Sequence, residues 1–311
     1  MSDPAIRVSG LGRAFGDLWA VRGLDLEVMR GEIFGLVGPD GAGKTTTMRL
    51  LTGILAASEG TASVAGFSID GEEEAIKARI SYMSQRFGLY GDLTVQENLR
   101  FYADLYEVPR REREPLEERL LGFSNLTPFR KRLARNLSGG MKQKLGLACA
   151  LIHKPEILFL DEPTNGVDPV SRRDFWRILY AMLKEGVTIF VSTAYLDEAE
   201  RCTRVGLMHN GRLVECDTPQ KLKADLPGKL LEIEIEQPRA AREVLAAEMG
   251  WNRVSLFGGT LHLYAEDDAH VERARDILRQ AGIAILDEKT IVPTLEDVFI
   301  RRIGHDEEAA P

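Results

Sequence analysis

Two short stretches hold residues whose types and spacing suit phosphate chemistry. In "GPDGAGKTT", Gly38 to Gly43 lead into Lys44 and Thr45, the spacing of a phosphate-binding loop. Gly38, Gly41 and Gly43 let backbone N–H groups turn inward around phosphate oxygens. A helix opening near Lys44 adds the positive end of its dipole. Pro39, Asp40, Ala42 and Thr46 complete the loop. Lys44 is expected to reach the terminal phosphates, and the Thr45 hydroxyl to bind Mg²⁺. In "ILFLDEP", four apolar residues bury a strand from Ile157 to Leu160, and Asp161 and Glu162 emerge at its end. Carboxylates there are costly unless they serve a cation or a proton transfer. Asp161 is expected to hold Mg²⁺ through water, and Glu162 to polarise an attacking water.

A third stretch, "GVTIFVSTAYLDEAERC", raises a question. Val187 to Val191 reads as a buried strand and Leu196 to Cys202 as the start of a helix, leaving Ser192 to Tyr195 as the turn. Ligands of open α/β sheets bind beyond the carboxyl ends of strands. The methyl group of Ala194 is inert at such a place.

The elements that must position these residues follow from patterning. From Ile6 to about Asp217, short apolar runs alternate with helical patterns, the signature of a largely parallel sheet flanked by helices. Ile33 to Val37 is the strand before the phosphate loop. Asp168 can cap a helix that begins at Pro169 and ends at Gly186. Between Gln85 and Asn136 the pattern is helical only, a helical insertion in the sheet domain. After about Leu222, "LLEIEIEQ" alternates strictly, a helical stretch runs to Gly250, and Gly258-Gly259 joins two strands as a hairpin. A helix carrying Val271, Ala274 and Leu278 and a last strand "IAILDE" complete the order β-α-β-β-α-β, the ferredoxin-like arrangement. The expected domains are 5–228, with a helical subdomain at about 86–140, then 229–304, and a flexible tail at 305–311.

Composition bounds the rest. The 311 residues carry a net charge of −8, which argues against a nucleic-acid-binding surface. Cys149, Cys202 and Cys216 are scattered, without metal-ligand or redox spacing, so reduced cytosolic thiols are expected. No basic-then-apolar leader and no run of about 20 apolar residues is present, so a membrane role requires a spanning partner.

With "NLSGGMKQK" the pattern becomes specific. The order phosphate loop, Gln85, "LSGGM", "LFLDEP", "GVDP" resembles the ATP-binding cassette of ABC transporters over about residues 5 to 220. "GLYGDLTVQENLRFYADLY", "SRRDFWRIL" and "YLDEAERC" look like ATPase subunits of ABC-2-type exporters, the drug-exporter branch included. "PTLEDVFIRR" resembles the small carboxy-terminal domain that many of them carry. The fold this implies is α/β: a P-loop NTPase sheet with a helical signature subdomain, plus a small α+β ferredoxin-like domain.

The resemblance also implies roles. Phe15 stands where the family stacks an aromatic ring on adenine. Gln85 stands where the family's glutamine senses Mg²⁺ and the γ-phosphate. Ser138, Gly139 and Gly140 start a helix that in the family faces the ATP of a second cassette, and Asp168 falls in the loop crossing that seam. A groove beside Gln85, with Phe87, Gly88, Leu89 and Tyr90 as candidate lining, would receive the membrane permease. Two departures stand out. Asp40 replaces a usual Asn, and because the loop uses backbone donors it is expected to point away. Ala194 occupies the position where the family usually has a histidine that hydrogen-bonds the γ-phosphate and the catalytic glutamate. The expected function is hydrolysis of ATP with Mg²⁺ to drive export through separate permease subunits, in a homo- or heterodimer of cassettes on the cytoplasmic face of the membrane. The alternatives are an ATP-binding regulatory cassette and a soluble cassette protein of translation or DNA repair.

Overall fold

The computed structural model describes residues 3–85 and 88–308, the last six by backbone alone. The chain divides into two compact units. One is built from residues up to Glu198 with Cys202–Glu215, the other from Ala199–Arg201 with the chain from Cys216 onward.

The first unit is centred on a six-stranded sheet. Across it the strands run Arg212–Asp217, Arg204–His209, Ile33–Val37, Thr188–Thr193, Ile157–Asp161, Ile80–Met83. The pairings among the last five are parallel. Ile33–Val37, Ile157–Asp161 and Thr188–Thr193 are buried along their whole length, as strands of a parallel sheet covered on both faces must be. The Phe34 and Phe159 rings lie 5.3 and 5.4 Å from that of Phe190. Each fully buried side chain of this kind contributes about 1.5–3 kcal/mol. Register sets the site: Val37 pairs with Thr193, Asp161 with Ser192, and Met83 with Leu160. The carboxyl ends of four strands therefore form one row.

Several expected boundaries move. The strand expected at 187–191 is Thr188–Thr193, so Ser192 and Thr193 belong to it rather than to the turn. Their hydroxyls find buried partners, which lets polar residues continue the ladder. The helix expected from Leu196 to Cys202 ends at Ala199. Part of the region read as parallel is antiparallel: Leu18–Val28, Ile6–Phe15, Glu59–Val64 and Phe67–Ser68 form a separate four-stranded sheet. Burial alternates in "GLDLEV", the mark of a strand with one wet face. Its first two strands are joined through Gly16, whose φ of +61° a residue with a side chain rarely adopts.

Between Gln85 and Gly139 the regular elements among the described residues are helices joined by loops, with one isolated bridge, Thr94–Leu133. Val95–Leu105 starts with a capping box in which Thr94 and Glu97 each accept the other's backbone N–H. Arg110–Phe123 follows, and Gly139–Ala150 begins with Ser138 accepting from Met141 N.

The second unit holds a four-stranded antiparallel sheet in the order Val254–Phe257, Thr260–Ala265, Lys229–Ile235, Ile285–Ile291. Helices Pro238–Met249 and Asp268–Gln280 intervene in the chain, giving the βαββαβ order and the ferredoxin-like strand arrangement. Leu231, Ile233 and Ile235 pack with Leu245, Ala274 and Leu278 in one core. Phe257 pairs with Thr260 across the two-glycine turn. The last strand is Ile285–Ile291 rather than "IAILDE". The final helix, Leu295–Glu308, runs past the boundary at 304, and residues 309–311 lie outside the described residues.

Candidate active site

The phosphate loop lies between the strand Ile33–Val37 and the helix Lys44–Leu51. Its glycines are required by close approach. A Cβ on Gly38 would lie 2.2 Å from the Met208 carbonyl oxygen, and one on Gly43 2.4 Å from that of Ala20. Gly43 also has φ +105°, a conformation that opens the helix without a side chain. Lys44 is buried; its ammonium donates to the carbonyl oxygens of Gly38 at 2.8 Å and Pro39 at 2.9 Å. It lies 3.2 Å from Glu162 Oε1.

Asp161 is buried at the end of its strand and saturated with donors. Thr45 Oγ1 donates to Oδ1 at 3.0 Å, Ser192 Oγ to the same oxygen at 2.7 Å, and the Tyr82 hydroxyl to Oδ2 at 3.2 Å. Burial and the Asp161 charge push the Tyr82 phenol up to about 12, so it remains a donor at neutral pH. Glu162 follows at φ +47°, a strained conformation for a non-glycine residue that costs about 1–3 kcal/mol. Its backbone N–H offsets this by donating to Ser192 Oγ at 3.0 Å and facing Ser192 O at 3.2 Å. The Glu162 side chain has partners different from those of Asp161. Its Oε2 accepts from Gln85 Nε2 at 2.5 Å and from Asn165 Nδ2 at 3.4 Å.

A cleft of about 260 Å³ is lined by Ala20, Asp40, Gly41, Ala42, Gly43, Lys44, Thr45, Thr46, Gln85 and Glu162. Asp40 is exposed and is one of these lining residues. Phe15 does not line it: half-exposed beside the Gly16 turn, its ring lies under the Arg13 guanidinium at 4.8 Å. Nor do Ser138, Gly139 and Gly140. Gly140 packs against the start of the helix Pro169–Lys184, where a Cβ would fall 2.4 Å from Ser171 Oγ. Asp168 caps that helix by accepting from Ser171 N at 2.9 Å, and the Ser171 N–H and hydroxyl hold its carboxyl below the usual range.

The donor set suits one hard cation shared with phosphates. The Thr45 hydroxyl, the Asp161 carboxylate and the Gln85 amide oxygen are the oxygen ligands Mg²⁺ prefers, and Mg²⁺ at a nucleotide takes few protein ligands. No group of three or more His, Cys, Asp or Glu able to cage a metal occurs among the described residues.

Around Ala194 the turn is firmly held. Glu198, fully buried, accepts from Thr164 Oγ1 at 2.5 Å and Thr193 Oγ1 at 3.1 Å, with Arg172 Nε 3.4 Å away. Tyr195 N donates to Thr193 Oγ1 at 2.9 Å. Sequence reasoning missed Tyr82, Ser192 and Glu198. The hydroxyls in "VSTAY" were a readable signal for Ser192, because polar residues ending a buried strand need partners.

Beside Gln85 a second groove, of about 340 Å³, is lined by Leu89, Gly91, Ala134, Arg135, Lys142 and Gln143. Leu89 is the one candidate in it. Tyr90 packs on Phe101, the Gly88 carbonyl accepts from Tyr102, and Phe87 lies outside the described residues. No helix among the described residues is long and apolar enough to cross a membrane. Burial pushes the Cys149 and Cys202 thiols up, leaving them unreactive.

Residues 21–165 match the ABC transporter family model. Over 309 residues the chain is 42% identical to a probable multidrug ABC transporter ATP-binding protein, YbhF, of Escherichia coli, covering 98% of this chain and 53% of that protein. It thus spans about half the length of that relative. It is 33% identical to the daunorubicin resistance ATP-binding protein DrrA3 of Streptomyces coeruleorubidus and 36% to the Nod factor export ATP-binding protein I of Rhizobium etli. The alignments cover 98% of this chain with 98% and 95% of theirs. Among solved structures, an ATP-binding subunit of an ABC transporter superposes with TM-score 0.65 at 28% identity, over 71% of this chain and 92% of its own. The cbiO1 protein of Clostridium perfringens shares the fold with TM-score 0.67 at 24% identity, over 80% and 96%. The cassette fold, the ordered motifs around one cleft and relatives matched over nearly their whole length lead to one conclusion: the chain belongs to the family of ABC transporter ATP-binding proteins.

Proposed function

We propose that this chain hydrolyses ATP to drive export through separate membrane permease subunits of the ABC-2 type. The observation that carries the reading is the placement of Lys44, Glu162 and Gln85 around one cleft at the carboxyl ends of parallel strands. Thr45 and Asp161 would hold Mg²⁺, with Gln85 beside them; bound there, the ion would neutralise charge on the phosphates. Backbone N–H groups from Gly41 to Thr46 would cradle the phosphates, and Lys44 would move onto the terminal ones. That movement withdraws the ammonium from Glu162 Oε1 and leaves this oxygen to accept a proton from water. Phe15, beside the cleft's hairpin, would stack on the base.

Two such cassettes would close head-to-tail, the Ser138-Gly139-Gly140 helix start of each meeting ATP on the other. The groove beside Gln85 is the surface offered for a permease, which would hold the chain on the cytoplasmic face of the membrane. The names of the relatives, concerned with multidrug, daunorubicin and Nod factor, support a drug-like or other amphipathic cargo. A cassette that holds ATP and turns it over slowly is the second reading, favoured by Ala194 alone. The deciding experiment measures Mg²⁺-dependent ATP turnover of the purified chain and identifies the membrane proteins that co-purify with it. Absence of both turnover and a permease would exclude the proposed function.

A further inference from the structure

The Ala194 side chain offers no donor, but its neighbour Tyr195 reaches the Glu162 carboxylate indirectly. The Tyr195 hydroxyl donates to Asn165 Oδ1 at 3.3 Å, and Asn165 Nδ2 donates to Glu162 Oε2 at 3.4 Å. A carboxylate can only accept, so Glu162 draws the NH₂ end of the Asn165 amide toward itself. That orientation leaves Oδ1 for the single hydroxyl proton of Tyr195. The carboxylate thus sets the amide orientation, and the Tyr195 hydroxyl donates within it.

Tyr195 is itself fixed from two further sides. Its ring lies 4.6 Å below the Arg172 guanidinium, an attraction of about 0.5–1 kcal/mol where partly exposed. Its backbone N–H is tied to Thr193, and Thr193 to the buried Glu198, which Arg172 also contacts. The turn that lacks a histidine is thus rigidly attached to the helix beginning at Pro169.

The other two groups on Glu162 have competing duties. Lys44 is needed at the phosphates and Gln85 beside the metal, whereas the other side-chain partner of Asn165, Tyr195, supports its bond to Glu162. We propose that Asn165 and Tyr195 are positioning residues that hold Glu162 during turnover, in place of the donor that Ala194 lacks. This rests on the reading of Glu162 as the group that polarises water.

The test compares steady-state ATP turnover and calorimetric Mg²⁺–ATP affinity in full-length variants. Tyr195→Phe keeps the ring beneath Arg172 and removes only the hydroxyl. It is expected to lower kcat about three- to tenfold, the rate equivalent of one weak hydrogen bond, with KM and ATP affinity unchanged. Asn165→Leu should lower kcat similarly, and the double variant no further than Asn165→Leu alone. Both sites are solvent-accessible, so unchanged thermal unfolding is expected and serves as the folding control. In a Glu162→Gln background, Tyr195→Phe should leave the residual turnover unaltered, because the carboxylate it orients is gone. Wild-type kcat in Tyr195→Phe, a change confined to KM, or an equal loss in the Glu162→Gln background would each overturn the proposal. Wild-type turnover in Glu162→Gln alone would instead remove the reading on which it rests.

Discussion

The Lys44 ammonium lies 3.2 Å from Glu162 Oε1, although the proposed chemistry gives the two groups different partners. The ion pair is nearly buried and Lys44 has two carbonyl acceptors besides. Engagement of Lys44 by phosphate would therefore exchange one carboxylate and two carbonyl partners for phosphate oxygens. On the proposed reading, Lys44 would hold Glu162 in check until phosphate drew the lysine off.

Lys44→Ala removes the charge that, on the proposed reading, would neutralise the terminal phosphates. Mg²⁺–ATP affinity should fall at least about 100-fold, equivalent to ~2.7 kcal/mol. Titration calorimetry checks this, and near-wild-type affinity would show that the phosphates sit elsewhere.

Glu162→Gln preserves the shape of the side chain and loses its basicity. ATP should remain bound while kcat falls roughly 10²–10⁴-fold, the range of general-base catalysis. A closed dimer should accumulate on ATP, visible by size-exclusion chromatography. Turnover equal to wild type would rule Glu162 out as the base.

Ala194→His introduces a donor at the exposed turn beside the cleft. One preorganised donor is worth roughly 10²–10³ in rate in comparable sites. A rise in kcat of at least about tenfold at saturating ATP, with affinity little changed, is the expected result. Unchanged turnover would mean that a missing donor does not limit the rate.

Ser192→Ala breaks a fully buried junction: Ser192 Oγ donates to Asp161 and accepts from the Glu162 backbone N–H. The unpaired groups should cost about 1–3 kcal/mol. At about 2–4 °C per kcal/mol for a unit of this size, calorimetry should record a Tm lower by several degrees. An unchanged Tm would show that the junction contributes nothing to stability.

Truncation after residue 228 should leave ATP binding intact, since the cleft is lined entirely from the first unit. The removed segment, 229–304, should unfold cooperatively on its own, as its sheet and helices share one core. Loss of nucleotide affinity in the truncated chain would argue against the boundary.

The sequence by itself determined the phosphate loop, the paired carboxylates, the signature start at Ser138 and the alternation in "LLEIEIEQ". These are local: a loop of glycines before a helix, or a period-two pattern, needs only neighbours in the chain to be read. Boundaries that depend on distant partners were not legible. Ser192 and Thr193 extend a strand because Asp161, the Glu162 N–H and Glu198 satisfy their hydroxyls from 5 to 31 residues away. The antiparallel sheet was hidden because its strand Glu59–Val64 pairs with Ile6–Phe15 across the phosphate-loop segment. Only the tertiary structure decided what surrounds Glu162, because register brings Ile80–Met83, Ile157–Asp161 and Thr188–Thr193 to one edge. Gln85, Asn165 and Tyr195 lie far apart in the chain, and side-chain hydrogen bonds form between residues that the sheet, not the sequence order, makes adjacent.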